Sequence, residues 1–152
     1  TDQRSEGFRE AIAEFPGMEL VGEDFNEDDA NRSVEQTTAV LQRESDLVGI
    51  FGTNVFSAQG AGTAVVNEGL GGVVQVIAFD ATQFAIEQLN AGVVSLVIAQ
   101  KPYDMGYLAV EFAMAHSRGV TSLPTRVPTG YAVITAENVS DPEVARFIYQ
   151  VD

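Results

Sequence analysis

The chain has 152 residues, of which 45% are hydrophobic, carries a formal net charge of −14, and contains no cysteine. The length suits one ordinary domain, and the apolar content suffices for a core. The acidic surface aids solubility and repels phosphate backbones, which argues against nucleic-acid partners, and the missing cysteines exclude disulfides, thiolate catalysis and Cys-zinc sites.

The opening residues Thr1-Asp2-Gln3-Arg4 lack an initiator Met, which points to a processed or cut product. Phe8, Ala11, Ile12 and Phe15 recur at helical spacing over residues 4–15, and Pro16-Gly17 stops that helix. Met18-Glu19-Leu20-Val21 reads as a short strand, and Asp24 to Asp29 as an acidic turn. Residues 27–43 predict a helix with Ala30, Val34, Thr37 and Leu41 on one face. Leu47 to Phe51 is almost wholly apolar, as expected for a parallel strand covered on both faces. An Ala- and Gly-rich helix follows over 55–68, then a strand over 73–78, a helix over 81–91 and a strand over 93–100. Residues 104–118 predict an amphipathic helix, Pro124 and Pro128 mark an extended connection, and Tyr131 to Thr135 forms a last strand. Asp141-Pro142 starts a terminal helix by the preferences of its first positions.

Such alternation predicts an α/β fold: a doubly wound, mostly parallel sheet flanked by helices. The first helix has no strand before it, although parallel sheets are built from strand–helix–strand crossovers. The pattern therefore implies a strand missing ahead of residue 4.

In an open α/β sheet, ligands bind outside the carboxyl ends of the strands. Three predicted strands deliver polar side chains there: Asn54 soon after Ile50-Phe51, Asp80 after Ile77-Ala78-Phe79, and Gln100 after Val97-Ile98-Ala99. Asp80 offers up to about four acceptor sites for hydroxyls, and it could also cap the helix that follows. Asn54 has the same two roles open to it. Gln100 is followed by Lys101-Pro102 in place of a helix start, so its amide needs another partner, a ligand or a nearby backbone. Arg4 lies at the amino end of a helix, the unfavourable end for a cation, and is either a solvated surface residue or a donor fork for ligand oxygens. Phe25 in its acidic loop either packs locally or covers the C–H face of a sugar.

Other signals are weaker. Gly60-Ala61-Gly62-Thr63-Ala64 lies within a predicted helix, where close helix packing explains it better than a dinucleotide turn. His116, the single histidine, has no catalytic partners nearby in sequence, and no metal-ligand spacing is visible. No cofactor is expected.

Taken in order, Arg4-Ser5-Glu6-Gly7-Phe8, Asp24-Phe25, Ile50-Phe51-Gly52-Thr53-Asn54, Ala78-Phe79-Asp80 and Ile98-Ala99-Gln100 with Met105-Gly106 resemble the ribose-binding-protein-like periplasmic sugar-binding proteins. These are type I substrate-binding proteins of ABC sugar importers, with two α/β lobes joined by a hinge. The resemblance covers essentially the whole chain but only the carboxyl-terminal portion of the family's fold. It implies that Arg4, Asn54, Asp80 and Gln100 bind the hydroxyls of a monosaccharide or polyol and that Phe25 covers an apolar face. It also implies three parts: residues 1–100 as the second lobe without its first strand, 101–125 as a hinge crossover and helix packing on the first lobe, and 126–152 as a return strand and terminal helix. The absent first lobe and the membrane subunits of an ABC importer are the implied partners. The implied location is periplasmic or extracellular, compatible with a lipid anchor in the intact protein.

With the first lobe absent, Leu108, Phe112 and Ala115 are expected to face water as an apolar stripe. An effector domain of a LacI-type transcription regulator and a sugar-sensing receptor ectodomain share the fold and are the alternatives. An enzyme of similar shape would need a phosphate loop or catalytic pair, and the sequence displays neither.

Overall fold

Apolar runs bounded by polar turns become strands because both faces of a parallel sheet are covered. In the computed structural model, which describes residues 2–149, three such runs form parallel strands: β1 (Gly49–Gly52), β2 (Gln75–Phe79) and β3 (Val94–Ala99). A fourth, β4 (Ala132–Ile134), joins antiparallel beside β3, so the order is β1-β2-β3-β4. The helices are α1 (Asp2–Ala13), α2 (Ala30–Arg43), α3 (Val55–Asn67), α4 (Gln83–Asn90), α5 (Pro102–Ser117) and α6 (Pro142–Ala145). This is the expected α/β architecture, a mostly parallel sheet flanked by helices. Among the described residues, no helix is long and apolar enough to cross a membrane.

The core is built from small and branched side chains. Val65, Val76, Leu89, Val97 and Ile134 are its largest fully buried members. Helix α3 reaches the sheet and α2 closely because its inward face is Ala58, Gly60, Ala61, Gly62, Ala64 and Val65. A Cβ on Gly60 would overlap the Ser33 side chain and lie 2.7 Å from the Ala30 carbonyl oxygen. The Gly60–Ala64 run is therefore a packing surface inside a helix, as the sequence suggests. Gly52 is equally constrained, since a Cβ there would lie 2.5 Å from the Ala58 backbone nitrogen.

Helix starts follow local chemistry. Asp29 accepts from the Asn31 and Arg32 backbone N–H groups at 2.8 and 3.1 Å, so α2 begins three residues later than its periodicity predicts. Asp141 caps α6 through Glu143 N–H at 2.9 Å. Pro102 occupies the first turn of α5 directly after Lys101, which corrects the expectation that no helix starts there. Proline suits that position because its missing N–H has no intrahelical partner to lose.

Two expectations fail. Met18–Val21 is not a strand: among the described residues the segment joins no ladder, β1 keeping its outer edge unpaired, and it stays exposed. The stripe on α1 also lacks a floor. None of its residues is buried and Phe15 just beyond it is exposed, while of that stripe Phe8 meets the sheet, its ring 5.1 Å from that of Phe51. On α5, Leu108, Phe112 and Ala115 are half-buried rather than exposed. The apolar stripe facing water is the other side of the helix: Tyr103, Tyr107, Val110 and Met114.

Candidate binding site

Parallel register brings three polar side chains to one rim. Gly52 pairs with Ala78, and Phe79 pairs with Ile98. Asn54, Asp80 and Gln100 therefore stand just past the carboxyl ends of three neighbouring strands, where the backbone leaves the sheet and side chains become available.

Asp80 is the centre of the arrangement. Thr82, not Asp80, caps α4, its hydroxyl oxygen accepting from Ala85 N–H at 3.2 Å. The capping role considered for Asp80 is thus taken by a neighbour, and the carboxylate is free to point elsewhere. Asp80 Oδ1 accepts two hydrogen bonds, from Gln100 Nε2 at 2.6 Å and from the Tyr149 hydroxyl at 2.8 Å. Its backbone has φ 77°, the left-handed region that costs an L side chain energy but that aspartate tolerates better than most.

Arg4 turns from α1 onto the same rim. Its Nη1 donates to the Thr53 carbonyl oxygen at 2.7 Å, and its guanidinium lies 3.5 Å from the Phe79 ring centre. Among the described residues it forms no ion pair with Asp80; it stacks on the residue before it. A guanidinium held over an aromatic face, with one N–H on a carbonyl, keeps several N–H donors unspent.

Asn54 caps α3 as its position suggests, Oδ1 accepting from Ser57 N–H at 2.8 Å. Its Nδ2 donates to Asp28 Oδ1 at 2.6 Å. That bond ties the acidic loop to the rim, and Asp28 reaches it through a left-handed turn, with φ 53° at Glu27 and 58° at Asp28. Buried Asn26 adds a second tie by accepting from the Ser57 hydroxyl at 3.2 Å. Phe25, in the same loop, is 67% exposed, so its ring is available for contact and not packed in the core.

Sequence reasoning misses Tyr149 and Asp28. Tyr149 sits 69 residues from Asp80, and only the folded tail, with Tyr149 N–H donating to the Ala81 carbonyl at 2.9 Å, brings it there. Burial, then the hydrogen bond and charge of Asp80, push the Tyr149 phenol up to about 12, with Gln100 opposing in part. Asp28 lies within the acidic turn that the sequence reveals, but its partner depends on the loop's path. His116 is exposed in the last turn of α5. Among the described residues no cluster of acids and histidine could hold a metal ion.

The fold and rim define a class: an α/β domain that presents polar groups at the ends of parallel strands, the place where such sheets receive small ligands. The chain belongs to the periplasmic binding protein domain family, whose model matches residues 1–121. It is similar to the D-allose-binding periplasmic protein of Escherichia coli (strain K12), with 30% identity over 105 residues that span 69% of this chain and 34% of that protein. It is also similar to an ABC transporter solute binding protein from Agrobacterium vitis bound with α-D-tagatopyranose, at 43% identity and TM-score 0.95, covering 99% of this chain and 50% of that one. A second Agrobacterium vitis solute binding protein, with bound D-fucose, is 29% identical at TM-score 0.90 and covers 96% and 50%. The chain thus spans about half the length of the solved relatives and about a third of the curated one. The family consists of solute-binding proteins and implies a periplasmic or extracellular location.

Proposed function

We propose that this chain supplies one half of a carbohydrate site in the extracytoplasmic substrate-binding component of an ABC sugar importer. The ligand class is a monosaccharide or polyol. Support comes first from the rim: a carboxylate, two amides and a stacked guanidinium converge at the ends of adjacent strands beside an exposed phenylalanine. Arg4, Asn54, Asp80 and Gln100 hold hydroxyls, and Phe25 covers the apolar C–H face. Sugars present this mixture of hydrogen-bonding edge and apolar face.

The other half of the site comes from a first lobe, and the chain divides as residues 1–100, 101–125 and 126–152. The stripe of Tyr103, Tyr107, Val110 and Met114 is the surface of α5 that meets that lobe. Closure of two lobes on the sugar completes the hydrogen bonds and creates the form read by the importer's membrane subunits. No bond of the ligand is broken, so the chain is not an enzyme.

A thermal-shift screen of the intact protein against monosaccharides and polyols tests this reading. A ligand at a hundred times its Kd stabilises by about 2.7 kcal/mol, a clear rise in melting temperature. No shift with any neutral sugar or polyol would overturn it.

A further inference from the structure

Asp80 is held from two sides. Two donors, Gln100 Nε2 and the Tyr149 hydroxyl, converge on the single oxygen Oδ1 at 2.6 and 2.8 Å. Among the described residues, Oδ2 receives no hydrogen bond. An ionised carboxylate has about four acceptor sites, roughly two on each oxygen. Among the described residues, one oxygen is thus saturated and the other is left open.

The source of the second donor is unexpected. Tyr149 belongs to the tail after α6, and its backbone N–H donates to the carbonyl of Ala81, the residue next to Asp80. Backbone and side chain of Tyr149 thus grip both Ala81 and Asp80. The phenol, raised to about 12 by burial and by Asp80, keeps its proton across the neutral range and stays a donor.

We propose that Tyr149 is a positioning residue of the ligand site: with Gln100 it clamps Oδ1 of Asp80 so that Oδ2 alone is offered to the ligand. This rests on the reading above, in which Asp80 accepts from a sugar hydroxyl. It narrows that reading. A ligand hydroxyl pair straddling both oxygens is excluded, and the site selects sugars whose hydroxyl approaches Oδ2. Tyr149 itself touches no ligand; it acts by fixing the plane of the carboxylate.

The test compares the intact protein with its Tyr149→Phe variant by calorimetric titration with D-tagatose, D-allose and D-fucose. The monodeoxy analogues of whichever sugar binds are then titrated, and crystal structures of both proteins are determined. The expected result is an affinity loss of about tenfold in the variant, the size of one hydrogen bond to a charged group. That loss should vanish for the one deoxy analogue that lacks the hydroxyl on Oδ2, and the variant's Asp80 carboxylate should be rotated. Binding by the wild type with equal affinity in the variant would overturn the positioning role while sparing the functional reading. An equal loss for every deoxy analogue would also overturn it, because a purely structural tyrosine weakens all ligands alike. Absence of wild-type binding to these three sugars and to every neutral sugar and polyol of the thermal-shift panel would overturn both.

Discussion

The guanidinium of Arg4 lies over the ring of Phe79, 3.5 Å from its centre, and joins the first helix to the strand that ends just before Asp80. Few other contacts hold α1, since none of its residues is buried. Arg4→Lys keeps the charge but loses the planar stack and the fork. We expect it to cost about 1 kcal/mol of stability, read by urea unfolding, and to weaken sugar binding. Unchanged unfolding would mean the stack holds nothing in place.

Asp80 combines a left-handed backbone with its proposed ligand role, and substitutions separate the two. Asp80→Gly removes the carboxylate but suits φ 77°, whereas Asp80→Ala removes it and keeps the strain. The alanine variant should be the less stable by about 1 kcal/mol. Both should lose sugar affinity to a similar extent. Denaturation midpoints and calorimetry measure the two effects independently.

Asn54→Asp places a second carboxylate against Asp28, now a partner at 2.6 Å, while leaving the α3 cap intact. Like charges at that distance repel, so the variant should lose about 1 kcal/mol or more near neutral pH. Protonation of either acid relieves the repulsion, and the deficit should shrink as pH falls toward about 4. Thermal melts across pH 4–8 (roughly the carboxylate range upward) give the answer, and a pH-independent deficit would contradict it.

Gly60→Ala should destabilise by about 1–3 kcal/mol, because the added methyl group meets Ser33 and the Ala30 carbonyl where α2 and α3 touch. Gly7→Ala is the control: a Cβ there meets nothing within 4 Å. It should be neutral or slightly stabilising within α1. Chemical denaturation of the pair distinguishes packing from helix propensity.

Tyr149 makes an alkaline prediction. Its folded value of about 12 lies above the ordinary 10.0. A raised value favours the protonated form in the folded state, so its contribution to stability is full below 10.0 and disappears as pH rises through about 12. Stability should therefore fall along that limb in the wild type and fall less in Tyr149→Phe. The phenolate absorbance missing from the variant's difference spectrum should appear only near the upper value.

The order of strands and helices is legible in the sequence because buried parallel strands read as apolar runs and helices carry amphipathic spacing. The placement of Asn54, Asp80 and Gln100 is legible for the same reason, since each follows such a run. What stays hidden depends on partners distant in the chain. Met18–Val21 has strand-like composition, but a strand exists only with a neighbour, and among the described residues this segment pairs with none. The exposed side of α5 cannot be chosen from spacing because apolar residues occur on both sides of that helix. The release of Asp80 from capping turns on a two-residue delay in α4, which Thr82 rather than the strand end decides. Tyr149 sends no local signal: a lone tyrosine after a short helix looks like ordinary packing until the tail's path is known.

The antiparallel fit of β4 has a mechanical result. Ala99 and Ala132 face each other across the sheet, so residues 100–131 depart and return at neighbouring points. Under the proposed division of the chain, a body slung from two adjacent strand ends would swing by altering a few backbone angles. Gln100 is the first residue past that suspension point and grips Asp80. Any swing of the slung segment must pull on, or be resisted by, the amide that steadies the carboxylate.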